Sequence, residues 1–414
     1  MRILILAQHY APEDVSGAVL AVELATDLAN RGNLVSFVTA APSYPQGRVF
    51  SGYRNSLLSR ENLDHVKIVR VWSYISPDKS FWRRLINYGT FGISALFGGL
   101  AAGKPDVLMS VSPPFPLGIS AWLLSRLWGI PWVYRVEDLF PDAAIAMGVL
   151  KNHIAISLFY WIERFFYRKA THISVISPTF REILIHKGVS PKKISVLPVW
   201  ADPDAVRPNH TENQFRTQHK LGDNFLVLYA GNLGYTSSLE DVILAADILK
   251  DETDIILYIV GEGVKKENLL EMARMMNLNN VHFLPFQPRD EFANMLAAAQ
   301  VGLLTLNRES SNTSLPSKLF NIMSCERPVM AIASEDSDVA RLINEAQCGM
   351  VVPPGKPELL AQAILELKNN PSRMTEMGQN GRAKILSEFN RNECINKYER
   401  TFQNAIPDFH GVKL

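Results

Sequence analysis

Short apolar runs alternate with helix-like stretches along this chain, and the series runs once and then starts again near residue 225. In the first half the strand-like runs are Ile3–Leu6, Val35–Thr39, Val66–Val71, Val107–Ser110, Trp132–Val136, His172–Val175 and Ile194–Leu197. In the second they are Phe225–Tyr229, Ile255–Val260, Val281–Leu284, Val301–Leu306, Val329–Ile332 and Met350–Val352. Continuous apolar runs are strands covered on both faces, and helices of about 10–15 residues between them imply βαβ units in parallel sheets. Between the first two runs, Leu20, Leu24 and Leu28 form one helical stripe that Gly32 ends. Two such series predict two doubly wound α/β domains. Pro198–Pro208, with three prolines and two aspartates, reads as the connection. The expected organisation is a first domain over 1–200, a linker over 201–215, a second domain over 216–389 and a terminal helix and tail over 390–414. In that last segment Asn390 and Glu393 form a helix-start pair, and Ile395, Tyr398 and Phe402 share one face.

Composition fits a soluble globular chain: 47% of the 414 residues are hydrophobic and 20% charged, which excludes a disordered, collagen-like or disulfide-stapled class. Net charge is +1, so no polycationic field points to nucleic acid. The halves differ: Met1 to Ala205 carries 21 basic and 15 acidic side chains, the remainder 21 and 26. A basic first half suits something anionic, a phosphate or a membrane surface. Cys325, Cys348 and Cys394 form no CxxC and fit a reducing compartment. The N-terminal apolar run is too short for a secretory signal, so a cytoplasmic location is expected.

Ligands of open parallel sheets bind outside the carboxyl ends of the strands. After the first strand comes His9 to Gly17 and a helix start, where Gly17 would let backbone amides approach an anion, or where Ser16 merely caps the helix. In the second half, Gly231-Asn232-Leu233-Gly234 and Gly261-Glu262-Gly263 each follow a strand, and each reads equally well as a tight turn. Ser314-Leu315-Pro316-Ser317-Lys318-Leu319-Phe320-Asn321 is more specific: Pro316 suits a first helical turn, leaving Ser314, Ser317 and Lys318 around helix amides that fit a diphosphate, with Asn321 one turn on. The alternative is a surface helix cap.

On these residues the second half resembles the nucleotide-binding domain of retaining glycosyltransferases of family 4, which have the GT-B fold. The matching stretches are Tyr229–Gly234, Ile259–Gly263, Phe283–Pro288, Leu315–Lys318, Met323–Val329 and Gly378–Arg382. The first half, through Pro42–Gly47 and Arg135–Asp142, is similar to a bacterial surface-polysaccharide branch that includes fucosyl- and fucosaminyl-transferases. The resemblance implies two Rossmann-like domains facing across a cleft and a hexosyltransferase activity. A nucleotide-diphosphate sugar would be the co-substrate, and a saccharide or lipid-linked saccharide the acceptor; no cofactor or obligatory metal is implied. It further implies transfer on one face of the sugar, with the leaving diphosphate helping to take the acceptor's proton. No protein nucleophile is then needed, and the protein's task is to align donor and acceptor and to stabilise charge on the leaving phosphate. Lys318 is the candidate for that charge. Gly261, Glu262, Gly263, Phe286 and Pro288 would border the nucleotide, and Glu137 or Asp138 would hold a sugar hydroxyl or cap the next helix.

Several positions depart from the wider family pattern. An arginine and a lysine common after the second domain's first strand read Asn232 and Ser237 here, and the glutamates of E-x7-E fall on Thr313 and Asn321. Lys318 in the Pro-Ser-Lys variant is the expected replacement for the lost charge. A catalytically inactive nucleotide-sugar-binding regulator and a GT-B epimerase are the competing functions. Asp202-Pro203-Asp204 and Asp336-Ser337-Asp338 could hold a divalent cation, but their linker and helix-start positions favour capping. No nucleic-acid module is recognisable.

Leu85–Gly103 is a run of 19 residues without charge, behind Phe81-Trp82-Arg83-Arg84. As a helix it would reach about 28 Å, close to a bilayer's hydrocarbon thickness. Five glycines and the need to split a sheet argue against spanning. A buried helix, or one lying on the inner face of the plasma membrane with Arg83 and Arg84 on headgroups, remains. A second aromatic-basic stretch, Phe159–Lys169, suits the same interface, whereas the stripe Ile154, Leu158, Ile162 and Phe166 that runs into it is expected to pack into the core.

Overall fold

The computed structural model describes residues 1–78, 80–146, 148–208 and 213–406. Residues 209–212 of the expected linker and the tail beyond 406 lie outside them. The chain forms two compact units, passing from the first to the second between Val199 and Trp200, and the segment from Asn392 on is assigned to the first.

The first unit carries β1 (Arg2–Leu6), β2 (Leu34–Ala40), β3 (Leu58–Leu63), β4 (Val66–Val71), β5 (Val107–Ser112), β6 (Trp132–Val136), β7 (His172–Val175) and β8 (Ile194–Val196). They form one sheet in the order β3-β4-β2-β1-β5-β6-β7-β8. Every pairing is parallel except β3 with β4. Leu4, Phe37, Val69, Met109 and Val133 are fully buried, as strands with a helix layer on each face require. The helices used below are α1 (Ser16–Asn30), α2 (Phe81–Ala102), α3 (Leu117–Trp128), α4 (Asp142–Ala146) and α5 (His153–Lys169). The last helix, Arg391–Ala405, buries Ile395, Tyr398 and Phe402. Arg31 bonds Asn396 Oδ1 (2.6 Å) and Asn33 bonds Glu399 Oε1 (2.9 Å), tying that helix to the end of α1 and the start of β2.

Helix α2 lies along the sheet. A β-carbon on Gly98 would fall 2.6 Å from Val71 Cγ1 and 2.7 Å from Val38 Cγ1, and one on Gly99 would strike Leu124 of α3. Its glycines are therefore contact points that let the helix approach β2, β4 and α3.

The second unit carries β9 (Phe225–Ala230), β10 (Ile255–Val260), β11 (Val281–Leu284), β12 (Val301–Thr305), β13 (Val329–Ile332) and β14 (Gly349–Val352), all parallel in the order β11-β10-β9-β12-β13-β14. One core, with Val227, Leu257, Leu303 and Met330, receives Ile243 and Leu360. The other, with Leu226, Leu228, Tyr258 and Val260, receives Leu296 and Cys325. All three cysteines are free and buried, and burial pushes the thiols up, Cys325 and Cys348 to about 12 and Cys394 to about 11.

Candidate active-site loops of the two units

In the second unit the strand order reverses at β9, which pairs β10 on one side and β12 on the other. That reversal opens a crevice at the carboxyl ends of the strands, where the loops after β9 and β12 meet. Asn307 N and Ser310 Oγ, beyond β12, donate to Thr236 O at 2.9 and 2.7 Å, and Asn307 Nδ2 donates to Tyr235 O at 2.9 Å. The loops after β9 and β10 are laced as well: Leu233 N donates to Glu262 O (2.9 Å) and Lys265 N to Leu233 O (3.0 Å).

The glycines there permit backbone against backbone. A β-carbon on Gly261 would strike the Gly231 carbonyl oxygen, and one on Gly263 the Leu233 carbonyl. Gly231, with φ +156°, has the Lys318 ammonium 2.6 Å from the place its β-carbon would take. The two glycine motifs are thus one packed unit with the lysine beside it.

Lys318 opens the helix Lys318–Ser324. Its Nζ sits 4.1 Å from the centroid of the Tyr229 ring and donates to Tyr229 Oη at 2.9 Å, while Tyr229 Oη donates to Asn232 O at 2.8 Å. The residue is half-buried, and no carboxylate among the described residues pairs with it. A partly desolvated cation held by a phenol and a ring keeps most of its charge available to an anion. The helix itself differs from the expectation. It runs only seven residues, Pro316 precedes its cap, and the amides of Leu319, Phe320 and Asn321 already donate to Pro316 and Ser317 carbonyls. The lysine charge, rather than a helix dipole, is what this corner offers.

Ser314, Ser317 and Asn321 are half-buried around that corner. Asn232 is exposed and Gly234 buried. Glu262 turns its carboxylate outward to Lys266 Nζ at 2.6 Å, so only its backbone joins the loop packing. Phe286 and Pro288 lie exposed beyond β11. Ser237, where many relatives place a lysine, is buried and its hydroxyl donates to Gly234 O at 2.8 Å. Tyr229 is the residue that sequence reasoning missed. A tyrosine at the carboxyl end of a fully buried strand must find partners for its hydroxyl, and that need was the available signal.

In the first unit the order reverses at β1, between β2 and β5. Helix α1 begins at Ser16 behind an extended Val15, so Ser16 is the first helical residue rather than the cap. Gly17 is exposed, with nothing near the position of an added β-carbon. Buried Glu13 organises this end: Oε2 meets His9 Nδ1 at 2.6 Å, and Oε1 accepts from the amides of Ser43 and Tyr44 at 2.7 and 2.8 Å. After β6, Glu137 accepts from buried Arg135 at 3.2 Å, and Arg135 in turn binds Leu197 O and lies 5.1 Å over the Tyr398 ring. Asp138 is exposed at its surface. Even so, the protein packed around it and neighbouring Glu137 push its carboxyl up to about 6, with Arg84 pulling the other way.

Arg84 belongs to this group. It donates to Tyr88 Oη at 3.3 Å, and Tyr88, Tyr44 and Asp138 all hold its guanidinium charged. Arg83 pairs with Asp78 at 2.8 Å and donates to Tyr74 Oη at 2.6 Å. The arginine pair expected on headgroups is therefore engaged within the first unit. The aspartate pairs are engaged too: Asp202 accepts from Asp204 N, Ala205 N and Arg391, and Asp336 from Asn312. Among the described residues no cluster of three potential ligands forms.

Residues 17–200 match the Glycosyl transferase 4-like domain, and residues 210–384 match the Glycosyl transferases group 1 family. The chain is 30% identical over 385 residues to WcaI of Escherichia coli (strain K12), named as a colanic acid biosynthesis glycosyl transferase, covering 89% of this chain and 94% of that one. Its fold is similar to sucrose-phosphate synthase from Thermosynechococcus elongatus (TM-score 0.79, 18% identity, 98% of each chain). It is also similar to Anabaena HepE solved with UDP-glucose (TM-score 0.71, 14% identity, 98% of this chain and 100% of that one).

Proposed function

The chain belongs to the group 1 glycosyl transferases of the GT-B type, and we propose that it moves a sugar, with retention, from a nucleotide-diphosphate sugar to a saccharide acceptor in surface-polysaccharide synthesis. The observation that carries this reading is Lys318, a half-buried cation without a carboxylate partner among the described residues, held by Tyr229 over the glycine loops at the reversal of the second sheet. A diphosphate supplies the missing negative charge. The acceptor hydroxyl attacks the anomeric carbon on the face from which the nucleoside diphosphate departs, and its proton passes to the departing phosphate oxygen. Lys318 offsets charge gathering on that phosphate, while Gly231, Gly261 and Gly263 let backbone border the nucleotide. Within the first unit, Glu137 or Asp138 binds a saccharide hydroxyl.

The colanic acid name of WcaI supports a polysaccharide product, and HepE's UDP-glucose complex supports a nucleotide-sugar donor. A fucosyl or fucosaminyl donor rests on the first-half motifs alone. A lipid-linked acceptor at the inner face of the plasma membrane completes the reading, with no cofactor and no obligatory metal. A thermal-shift screen over nucleoside diphosphates tests it: a ligand at about a hundred times its Kd stabilises the folded state by about 2.7 kcal/mol. A shift with one base and none with the others supports the reading; no shift with any refutes it.

A further inference from the structure

Among the described residues, the helix layer formed by α2, α3 and α5 in the first unit carries many exposed apolar side chains. On α2, Trp82, Ile86, Ile93, Phe97 and Leu100 are all exposed, Trp82 at 71% and Ile93 at 66%. At 3.6 residues per turn these five fall within an arc of about 60°, a stripe that runs almost the whole helix. Helix α3 packs beside α2 through Leu124 against Gly99, and beside α5 through Trp122, whose ring lies 5.0 Å from that of Phe165. On α5 the expected core stripe is instead open: Ile154 is 81% and Leu158 54% exposed, next to Trp161 at 61%, and only Phe166 is buried. Leu127 of α3, exposed at 65%, continues the same surface. An apolar area of this extent marks a contact site.

Charge selects the occupant. The three helices carry one acidic residue, Glu163, and it is buried and paired with Lys187 at 2.7 Å. Arg126, Arg164, Arg168 and Lys169 are exposed, and no carboxylate among the described residues pairs with them. Two copies of this chain joined by this face would bring like charges together. An anionic lipid surface meets both features, since tryptophans and aliphatic side chains enter the interface while guanidinium and ammonium groups bind headgroups.

We propose that the α2–α3–α5 face docks this protein onto an anionic bilayer, with Arg126, Arg164, Arg168 and Lys169 rather than Arg83 and Arg84 supplying the attraction. This deepens the membrane part of the function proposed above, and it stands on different residues from the donor site.

The test is flotation of the full chain with phosphatidylethanolamine vesicles containing about one-third phosphatidylglycerol, against vesicles of phosphatidylcholine alone. The intact protein floats with the anionic vesicles only, and high salt releases it. Arg164→Glu/Arg168→Glu/Lys169→Glu weakens that binding about a hundredfold or more, and Phe97→Glu/Trp161→Glu weakens it at least tenfold. Each variant should keep its melting temperature and its response to nucleoside diphosphates, because only exposed side chains change. Equal binding to both vesicle types, or binding indifferent to salt and to both variants, overturns the proposal. So does a dimer in light scattering that Phe97→Glu/Trp161→Glu dissolves, which would assign the face to a second copy. Loss of nucleotide binding in the intact protein would instead refute the donor site and leave the docking face standing.

Discussion

Replacing Lys318 by alanine removes one cation from the corner formed by Tyr229, Gly231 and Asn232. Two unit charges about 4 Å apart in surroundings of effective dielectric near 20 attract by about 4 kcal/mol. Loss of a preorganised group at a developing oxyanion commonly costs about 2.7–4 kcal/mol, a factor of about 100–1000 in turnover. Stability should change less. The substitution forfeits one hydrogen bond of about 1 kcal/mol and a cation–π contact of about 1 kcal/mol, and it also relieves the desolvation of a half-buried charge. Steady-state kinetics on the donor that gives the thermal shift, with melting measured in parallel, separates the two effects. Lys318→Ala should lower kcat about a hundredfold or more with a melting change of a few degrees. Lys318→Arg should restore part of the rate, and Tyr229→Phe, which frees the ammonium from its hydroxyl anchor, should cost about tenfold. A folded Lys318→Ala enzyme within about threefold of the parent would refute the leaving-group role.

Gly261→Ala should destabilise the second unit by about 1–3 kcal/mol and abolish donor binding, because the new methyl meets the Gly231 carbonyl; calorimetry and thermal shift check both. The Asp138 carboxyl is held above the ordinary carboxylate range, and an ionised carboxylate accepts hydrogen bonds from sugar hydroxyls, so the acidic limb of activity should lie at higher pH than a free aspartate would give, with activity rising as pH climbs through it. Asp138→Asn should flatten that acidic limb and lower the plateau; an unchanged pH profile would count against this role. Activity should survive EDTA, since Lys318 supplies the positive charge a cation otherwise provides, and loss restored by magnesium or manganese would return the aspartate pairs to consideration.

Among the described residues, thirteen of the fourteen strands could be read from apolar runs, because a strand covered on both faces has no polar positions to break its pattern. Strand β3, LSRENL, could not: it pairs only β4 at the sheet edge, and its mostly exposed residues leave no apolar trace. The helix His153–Lys169 shows a different limit. Periodicity revealed its apolar stripe but not what covers it, so Ile154 and Leu158 read as core and are exposed. At the proposed donor site Lys318 stood out through its motif, whereas its anchor Tyr229 lies 89 residues away and is joined to it only by folding. Arg84 likewise read as a surface charge, and only folding brings it within the electrostatic reach of Tyr44 and Asp138. Contacts between distant loops leave no local pattern, and the site is made of them.

The most direct test is donor cleavage without acceptor. Purified protein is incubated in EDTA with uridine, guanosine and deoxythymidine diphosphate sugars, and the released nucleoside diphosphate is followed by chromatography. Slow release from one of these donors, absent in Lys318→Ala, is the predicted result. A folded protein that neither cleaves nor binds any of them would contradict the account at its centre.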